Sequence, residues 1–234
     1  MKEEMLLNKF ERFERLVGKD EFLRIRNKTV LIVGVGGVGG YVLESLVRCG
    51  VNEVIIVDFD TVDETNINRQ IIALESTIGS LKVDVFEKRI KDINPLCNVI
   101  KMPIFLDEDN ISNLFSHKID YLIDACDTVK TKKCLINECI KRNIKFISCM
   151  GTGNKLDPSK LEITDIRNTK NDPLARIMRK YVRDLKIKDK VMVLSSSEVP
   201  IKVEGGVLAS TSFVPSSAGL LISSYVIREF LNEK

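Results

Sequence analysis

Several things are scarce or missing in this chain. Its six cysteines, at 49, 97, 126, 134, 139 and 149, include no Cys-x-x-Cys pair, which argues against a zinc knuckle and against a secreted disulfide framework. They read as reduced thiols, several of them buried. The strongly apolar run at 29–43 has fifteen residues and five glycines. A bilayer span needs roughly 20. The first 28 residues carry charge throughout, with Lys2, Glu3, Glu4, Lys9, Glu11 and Arg12 where a signal peptide needs an apolar core, so the cytoplasm is the expectation and no membrane association is foreseen. Neither sign of charge dominates: 36 Lys and Arg against 33 Asp and Glu leave +3, which neither requires nor forbids a polyanionic partner. The single histidine, His117, falls near the end of an expected helix and reads as structural or solvent-facing.

What is present is an apolar fraction of 44% in 234 residues, ample for a core. The segment 5–26 has apolar residues near helical spacing and reads as two short amphipathic helices broken at Gly18. Residues 29–35 form a β-branched run suited to a strand covered on both faces, and 36–49 return to helical spacing. Further strands are expected at 53–57, 99–102, 121–125 and 145–149, alternating with helices at 81–93, 109–116 and 129–142. That alternation predicts a doubly wound α/β fold with a mainly parallel sheet. Beyond Gly151 the pattern changes to short strands at 161–166, 191–194 and 201–203, a basic helix at 173–185 and a closing apolar helix at 215–231. No repeat or low-complexity linker divides the chain, so a single domain is expected: N-terminal helices at 1–27, a nucleotide-binding core at 28–150 and an extension at 151–234.

Gly34-Val-Gly36-Gly37-Val-Gly39 lies between the first strand and its helix, where small residues let backbone N–H groups and the helix's positive end approach a phosphate. The bland alternative is a turn that serves only strand–helix packing. Asp58, at the end of the second strand, is placed to bind a ribose, which suits NAD and ATP equally. The stretch 60–70 and Lys82 separate the two. Asn66, Arg69 and Lys82 beside a phosphate loop suit displacement at an α-phosphorus, where the leaving pyrophosphate needs its charge neutralised; hydride transfer has no such need. Asp127, closing the Asp124-Ala-Cys-Asp127 turn, is the candidate magnesium ligand, and a helix N-cap is its alternative role.

Together, Gly34-x-Gly-Gly-x-Gly39, Asp58-Phe-Asp60, Thr65-Asn-Ile-Asn-Arg-Gln70, Lys82 and Asp124-x-x-Asp127 resemble the ubiquitin-activating-enzyme-like adenylating family, whose members include activators of sulfur-carrier proteins. Within it, Gly151-Thr-Gly153, Leu156-Asp-Pro158, Ile163-Thr-Asp165, Asp172-Pro-Leu-Ala-Arg176 and Ser212-Phe-Val-Pro215 are most similar to the subfamily of bacterial tRNA threonylcarbamoyladenosine dehydratases. The resemblance implies a Rossmann-like sheet and an ATP site formed by Gly34, Gly36, Gly37, Gly39, Asp58, Asp60, Asn66, Arg69, Gln70 and Lys82. Arg69, Lys82 and Asp127 would carry the chemistry, Asp127 through magnesium, and Gln70 would position its loop. It further implies that the carboxylate of threonylcarbamoyladenosine, at position 37 of tRNA, attacks the α-phosphate, and that the carbamoyl group of the same side chain then displaces AMP and closes a five-membered ring. A homodimer and sulfur-relay proteins are the implied protein partners. The runner-up activity is adenylation of a sulfur-carrier protein's C-terminus.

Two features qualify the subfamily. Relatives often carry zinc-binding Cys pairs or a mobile loop cysteine, whereas no cysteine follows Cys149 here, so thiol transfer through the tail and bound zinc are not expected. Cys126 reads as a buried small residue. Residues 167–190 hold nine Lys or Arg against three Asp, which is where an RNA backbone would sit, with Arg176, Arg179, Lys180 and Arg183 as phosphate contacts. Tyr181 is expected either to stack on a base or to join the core.

Overall fold

Residues 29–33 are Thr-Val-Leu-Ile-Val, and all five are buried, as only a central strand covered on both faces allows. In the computed structural model, which describes residues 8–206 and 208–233, this is β1 (Thr29–Val33). The expected start of the first helical segment at Met5 lies outside the described residues. β1 pairs in parallel with β2 (Glu53–Val57) and β4 (Tyr121–Asp124), in the register Val33 to Val57 and Val33 to Asp124. β3 (Asn98–Met102) flanks β2, and β5 (Phe146–Cys149) flanks β4. β7 (Met192–Ser196) joins β5 in parallel and β6 (Leu161–Asp165) closes the edge antiparallel to β7, giving the order 3-2-1-4-5-7-6. The chain runs outward from β1 to β3, then returns to the other side of β1 as β4. Strand order therefore reverses between β1 and β4, and a crevice opens beyond their carboxyl ends.

Alternation along the strands sends side chains to two cores. Val30, Ile32, Val54 and Ile56 pack against α3 (Gly39–Arg48), α4 (Lys82–Ile93) and the long α7 (Phe213–Leu231). Leu31, Val33, Ile55 and Val57 face Leu106, Leu114 and, from α5 (Val129–Lys141), Leu135 and Cys139. A third cluster seats α6 (Pro173–Asp184) through Ala175, Met178 and Val182. The N-terminal helices α1 (Glu11–Val17) and α2 (Lys19–Arg26) meet at Gly18, whose φ of 92° suits glycine alone. α3 and α7 cross closely at Gly219, where a Cβ would lie 2.5 Å from the Val38 carbonyl.

Three expectations need correction. The segment expected to be a helix at 109–116 is a 3-10 turn, Ile111–Ser116, because Asp107 and Asn110 satisfy local backbone groups with their side chains and tighten the chain. Residues 201–203 form no strand: Pro200 removes a donor, and among the described residues the one backbone bond from this stretch runs from Ile201 N–H to the Asn154 carbonyl at 2.8 Å. The last helix starts at Phe213 rather than Pro215, which sits in the first turn, where its missing N–H leaves nothing unpaired. Among the described residues, no helix is long and apolar enough to cross a membrane.

Candidate active site

The glycine turn divides into two functional pairs. At Gly34, φ is 84° and a Cβ would lie 2.9 Å from the backbone of Ala125 and Cys126; at Gly39 it would lie 1.9 Å from the Gly34 carbonyl oxygen. Those two glycines are demanded by packing between β1, the turn after β4 and α3. Gly36 and Gly37 are different. A Cβ would find its nearest neighbours at ordinary contact distance, 3.7 Å from Gln70 Nε2 and 3.4 Å from Arg69 Cγ. Among the described residues, the N–H groups of Gly36, Gly37 and Val38 meet no acceptor, and Val38 caps α3 with no side-chain bond. The result is a set of free backbone donors at a helix N-terminus, the arrangement that holds phosphate.

Asp58 closes β2 and accepts two backbone bonds, from Val35 N–H at 2.8 Å and Asp60 N–H at 2.9 Å. It thereby ties the glycine turn to the start of the next loop. Burial pushes its carboxyl up, while Lys82 and those two N–H groups pull it back. In the 60–70 stretch, Asp63 and Asn66 form reciprocal side-chain to backbone bonds that set the turn carrying Arg69. The Arg69 guanidinium donates to the Thr65 carbonyl at 2.7 Å and to Asn68 Oδ1 at 2.9 Å, and no described carboxylate lies within ion-pair reach. Lys82 opens α4, is 5% exposed and pairs with Asp60 at 2.7 Å. Gln70 is buried beneath the turn with its Oε1 unpartnered.

Asp127 is exposed, and among the described residues its carboxylate accepts one side-chain hydrogen bond, from Thr128 Oγ1 at 3.4 Å. Thr128, not Asp127, occupies the N-cap of α5, so the capping alternative is not realised. Behind the turn, Asp124 and Lys132 form a fully buried pair at 3.0 Å. The lysine's other donations go to Ser148 Oγ and the Cys149 carbonyl, while Asp124 accepts from Ser148 Oγ and Cys126 N–H. Burial alone would push the Lys132 ammonium down; the Asp124 carboxylate beside it holds it up instead.

These groups surround a cleft of about 330 Å³ at the carboxyl edge of the sheet. Of the residues expected from sequence, Gly34, Gly36, Gly37, Asp58, Asp60, Asn66, Arg69, Gln70, Lys82 and Asp127 line it. Gly39 does not; it lies under Gly34, where its lack of a side chain serves packing. Sequence reasoning missed two walls. One is apolar, with Phe59 and Phe105 in edge contact at 5.1 Å beside Ile104 and Leu106. The other comes from the chain beyond Gly151 and is uncharged and mostly small: Thr152, Gly153, Leu208, Ser210 and Pro215.

The basic candidates lie elsewhere, on α6. Arg176, Lys180 and Arg183 are exposed, but Arg179 is half-buried and already donates to the Thr169 carbonyl and hydroxyl at 2.5 and 2.6 Å. Tyr181 is half-buried, its hydroxyl accepts from Asn137 at 2.6 Å, and Lys133 covers its ring at 5.1 Å. One ring face is therefore taken. His117 is half-buried and outside the cleft.

Cys126 lines the cleft, but burial and the neighbouring Asp124 carboxylate push its thiol well up. It is a thiol, not a thiolate, at neutral pH. Cys126→Ala is expected to keep turnover at this cleft within about threefold; a hundredfold loss in a steady-state assay would assign the sulfur a chemical role.

The model of the ThiF family matches residues 10–192. The chain belongs to the ThiF family. Among its relatives, the tRNA threonylcarbamoyladenosine dehydratase of Bacillus subtilis is 41% identical over 245 residues, covering 97% of this chain and 96% of that one. Two solved structures of the Escherichia coli tRNA N6-threonylcarbamoyladenosine dehydratase share this ThiF-type architecture. The AMP complex has a TM-score of 0.91 at 31% identity, and the ATP complex 0.90 at 32%; each alignment covers 96% of this chain and 94% of the solved one. The match confirms the doubly wound, mainly parallel α/β fold expected from sequence, and it extends over the C-terminal strands and helices.

Proposed function

We propose that this chain is an ATP-dependent tRNA threonylcarbamoyladenosine dehydratase, which activates the substrate's carboxyl group as an adenylate and cyclises it. The observation that carries this reading is one cleft combining N–H groups at Gly36, Gly37 and Val38 and the Arg69 guanidinium, none of them engaged by an acceptor or carboxylate that would compete for phosphate among the described residues, with the buried Lys82. The near full-length similarity to dehydratases supports it.

The triphosphate lies along the glycine turn, with the ribose toward Asp58 and Gln70 holding the turn from beneath. Arg69 and Lys82 neutralise the pyrophosphate as it departs, Lys82 turning part of its donor capacity from Asp60 to phosphate oxygen. The substrate carboxylate oxygen bonds to the α-phosphorus and the bond to pyrophosphate breaks. The carbamoyl group of the same side chain then attacks the acyl carbon and gives up a proton to solvent, the bond from acyl carbon to the bridging oxygen breaks, and AMP leaves with that oxygen, so the nucleoside has lost the elements of one water. Because both reacting groups belong to one side chain, ring closure needs little acid–base machinery. The small, uncharged wall at Thr152, Gly153 and Ser210 is where the threonyl moiety sits.

Magnesium fits this site as an ion held by one carboxylate, phosphate oxygens and water. Asp127 is exposed and unpaired by any described cation, and among the described residues no group of three or more His, Cys, Asp or Glu side chains is placed to hold a metal on its own. Asp127 would hold the ion, which would supply charge neutralisation at the phosphates. The same reading includes a cytoplasmic homodimer, supported by the apolar side chains of α7 left open at Phe213, Leu220 and Leu221, with sulfur-relay proteins as further partners. The absence of any cysteine after Cys149 speaks against thiol transfer through the tail.

Incubation with threonylcarbamoyladenosine-containing tRNA, ATP and magnesium is expected to yield AMP and a nucleoside lighter by one water. Pyrophosphate exchange that depends on a protein with a Gly-Gly tail, with no change in the nucleoside, would instead favour the carrier-activating alternative. In this reading the RNA backbone would run along α6. Replacing Arg176, Lys180 and Arg183 by alanine is expected to leave ATP affinity unchanged and to flatten the salt dependence of tRNA binding by about two in log–log slope. An unaltered slope in filter binding would remove α6 from the interface.

A further inference from the structure

Lys155 and Asp172 form a second fully buried ion pair, at 2.8 Å, outside the cleft. Neither belongs to the nucleotide site, and a lysine this deep is held only because its donors are used. Its ammonium donates to Asp172 Oδ2 and, at 2.6 Å, to the carbonyl of Gly151. The other carboxylate oxygen accepts from Ala175 N–H at 2.8 Å, which makes Asp172 the N-cap of α6. One bridge thus joins two parts of the molecule. At one end is the first turn of the basic helix; at the other is the backbone that leads directly into Thr152 and Gly153 on the wall of the cleft. The fit is tight, since a Cβ on Gly151 would lie 3.2 Å from the same carboxylate. Asn154, next to the lysine, extends the connection. It donates N–H to the Ala209 carbonyl at 2.8 Å and accepts Ala209 N–H at 2.7 Å, between the cleft residues Leu208 and Ser210.

We infer that Lys155 is a positioning residue that couples RNA docking on α6 to the substrate wall of the cleft. Resting on the proposed dehydratase reading, the inference assigns the bridge the task of setting where the threonylcarbamoyl group meets the α-phosphate once the tRNA is held. Neither end can shift without moving a buried charge away from its partner, so the two surfaces move as one body.

Lys155→Met alone would leave a buried carboxylate unpaired, so the test is the double variant Lys155→Met, Asp172→Asn. It is neutral, and asparagine still caps the helix through its side-chain oxygen. It is expected to fold with α6 intact and to keep the Kd for ATP and the KM for tRNA within about threefold, while kcat falls about tenfold or more. A second readout needs no chemistry: hydrogen exchange at 151–153, with and without tRNA lacking the modification. In the wild type, exchange there is expected to slow when the tRNA binds; in the double variant it is not.

A folded double variant with unchanged kcat, or a wild type that binds tRNA with no response at 151–153, overturns the coupling. Failure of the wild type to bind tRNA at all overturns the placement of RNA on α6 and the coupling with it. A wild type that binds tRNA and protects 151–153 but releases no AMP overturns the dehydratase reading and leaves the coupling supported.

Discussion

Arg69→Ala is expected to lower AMP formation by about a thousandfold while tRNA affinity stays within about threefold, a split that steady-state kinetics and filter binding read separately. The size of the effect follows from the guanidinium's position. It lines the cleft, no described carboxylate competes for it, and its present bonds, to Thr65 and Asn68, lie on the surface loop that carries it. Loss of those bonds costs the fold little. Loss of a positive charge where pyrophosphate develops its own charge affects the transition state most. Arg69→Lys is expected to recover only part of the rate, since a point charge replaces a planar fork. Equal losses in tRNA affinity and rate would place Arg69 in the RNA interface instead.

Two glycine substitutions in the same turn are expected to fail in opposite ways. Gly39→Ala places a Cβ 1.9 Å from the Gly34 carbonyl, between backbone segments that cannot yield, and is expected to destabilise the fold by about 3 kcal/mol in chemical denaturation. Gly36→Ala meets nothing closer than 3.7 Å, so the denaturation midpoint is expected to hold, while ATP affinity falls at least about tenfold in calorimetry. If Gly36→Ala bound ATP normally, the free N–H groups around it would not be a phosphate cradle. The glycine turn would then serve packing alone.

Much of this is legible in the sequence. The uniformly buried β1 and the alternating pattern after it depend on local composition, and the residues proposed from Gly34 to Asp127 to bind nucleotide, Gly39 excepted, line one cleft at the carboxyl edge of the sheet. What was not legible depended on contacts distant in sequence. Lys132 and Lys155 read as ordinary lysines, because nothing nearby in the chain announces Asp124 or Asp172 as partners. The apolar wall at Phe59 and Phe105 joins residues from two loops, and the far wall borrows Leu208 and Ser210 from a segment whose strand-like composition at 201–203 finds no ladder. Arg179 is indistinguishable from its basic neighbours in the sequence, whereas in the fold Thr169 occupies one of its donors.

The most direct measurement follows the oxygen. A tRNA substrate whose threonyl carboxylate carries heavy oxygen, turned over with unlabelled ATP, is predicted to transfer one labelled oxygen to AMP, because attack on the α-phosphorus makes that oxygen the bridge and departure of AMP removes it. Label retained in the nucleoside, or found in inorganic phosphate alongside ADP, would contradict adenylation.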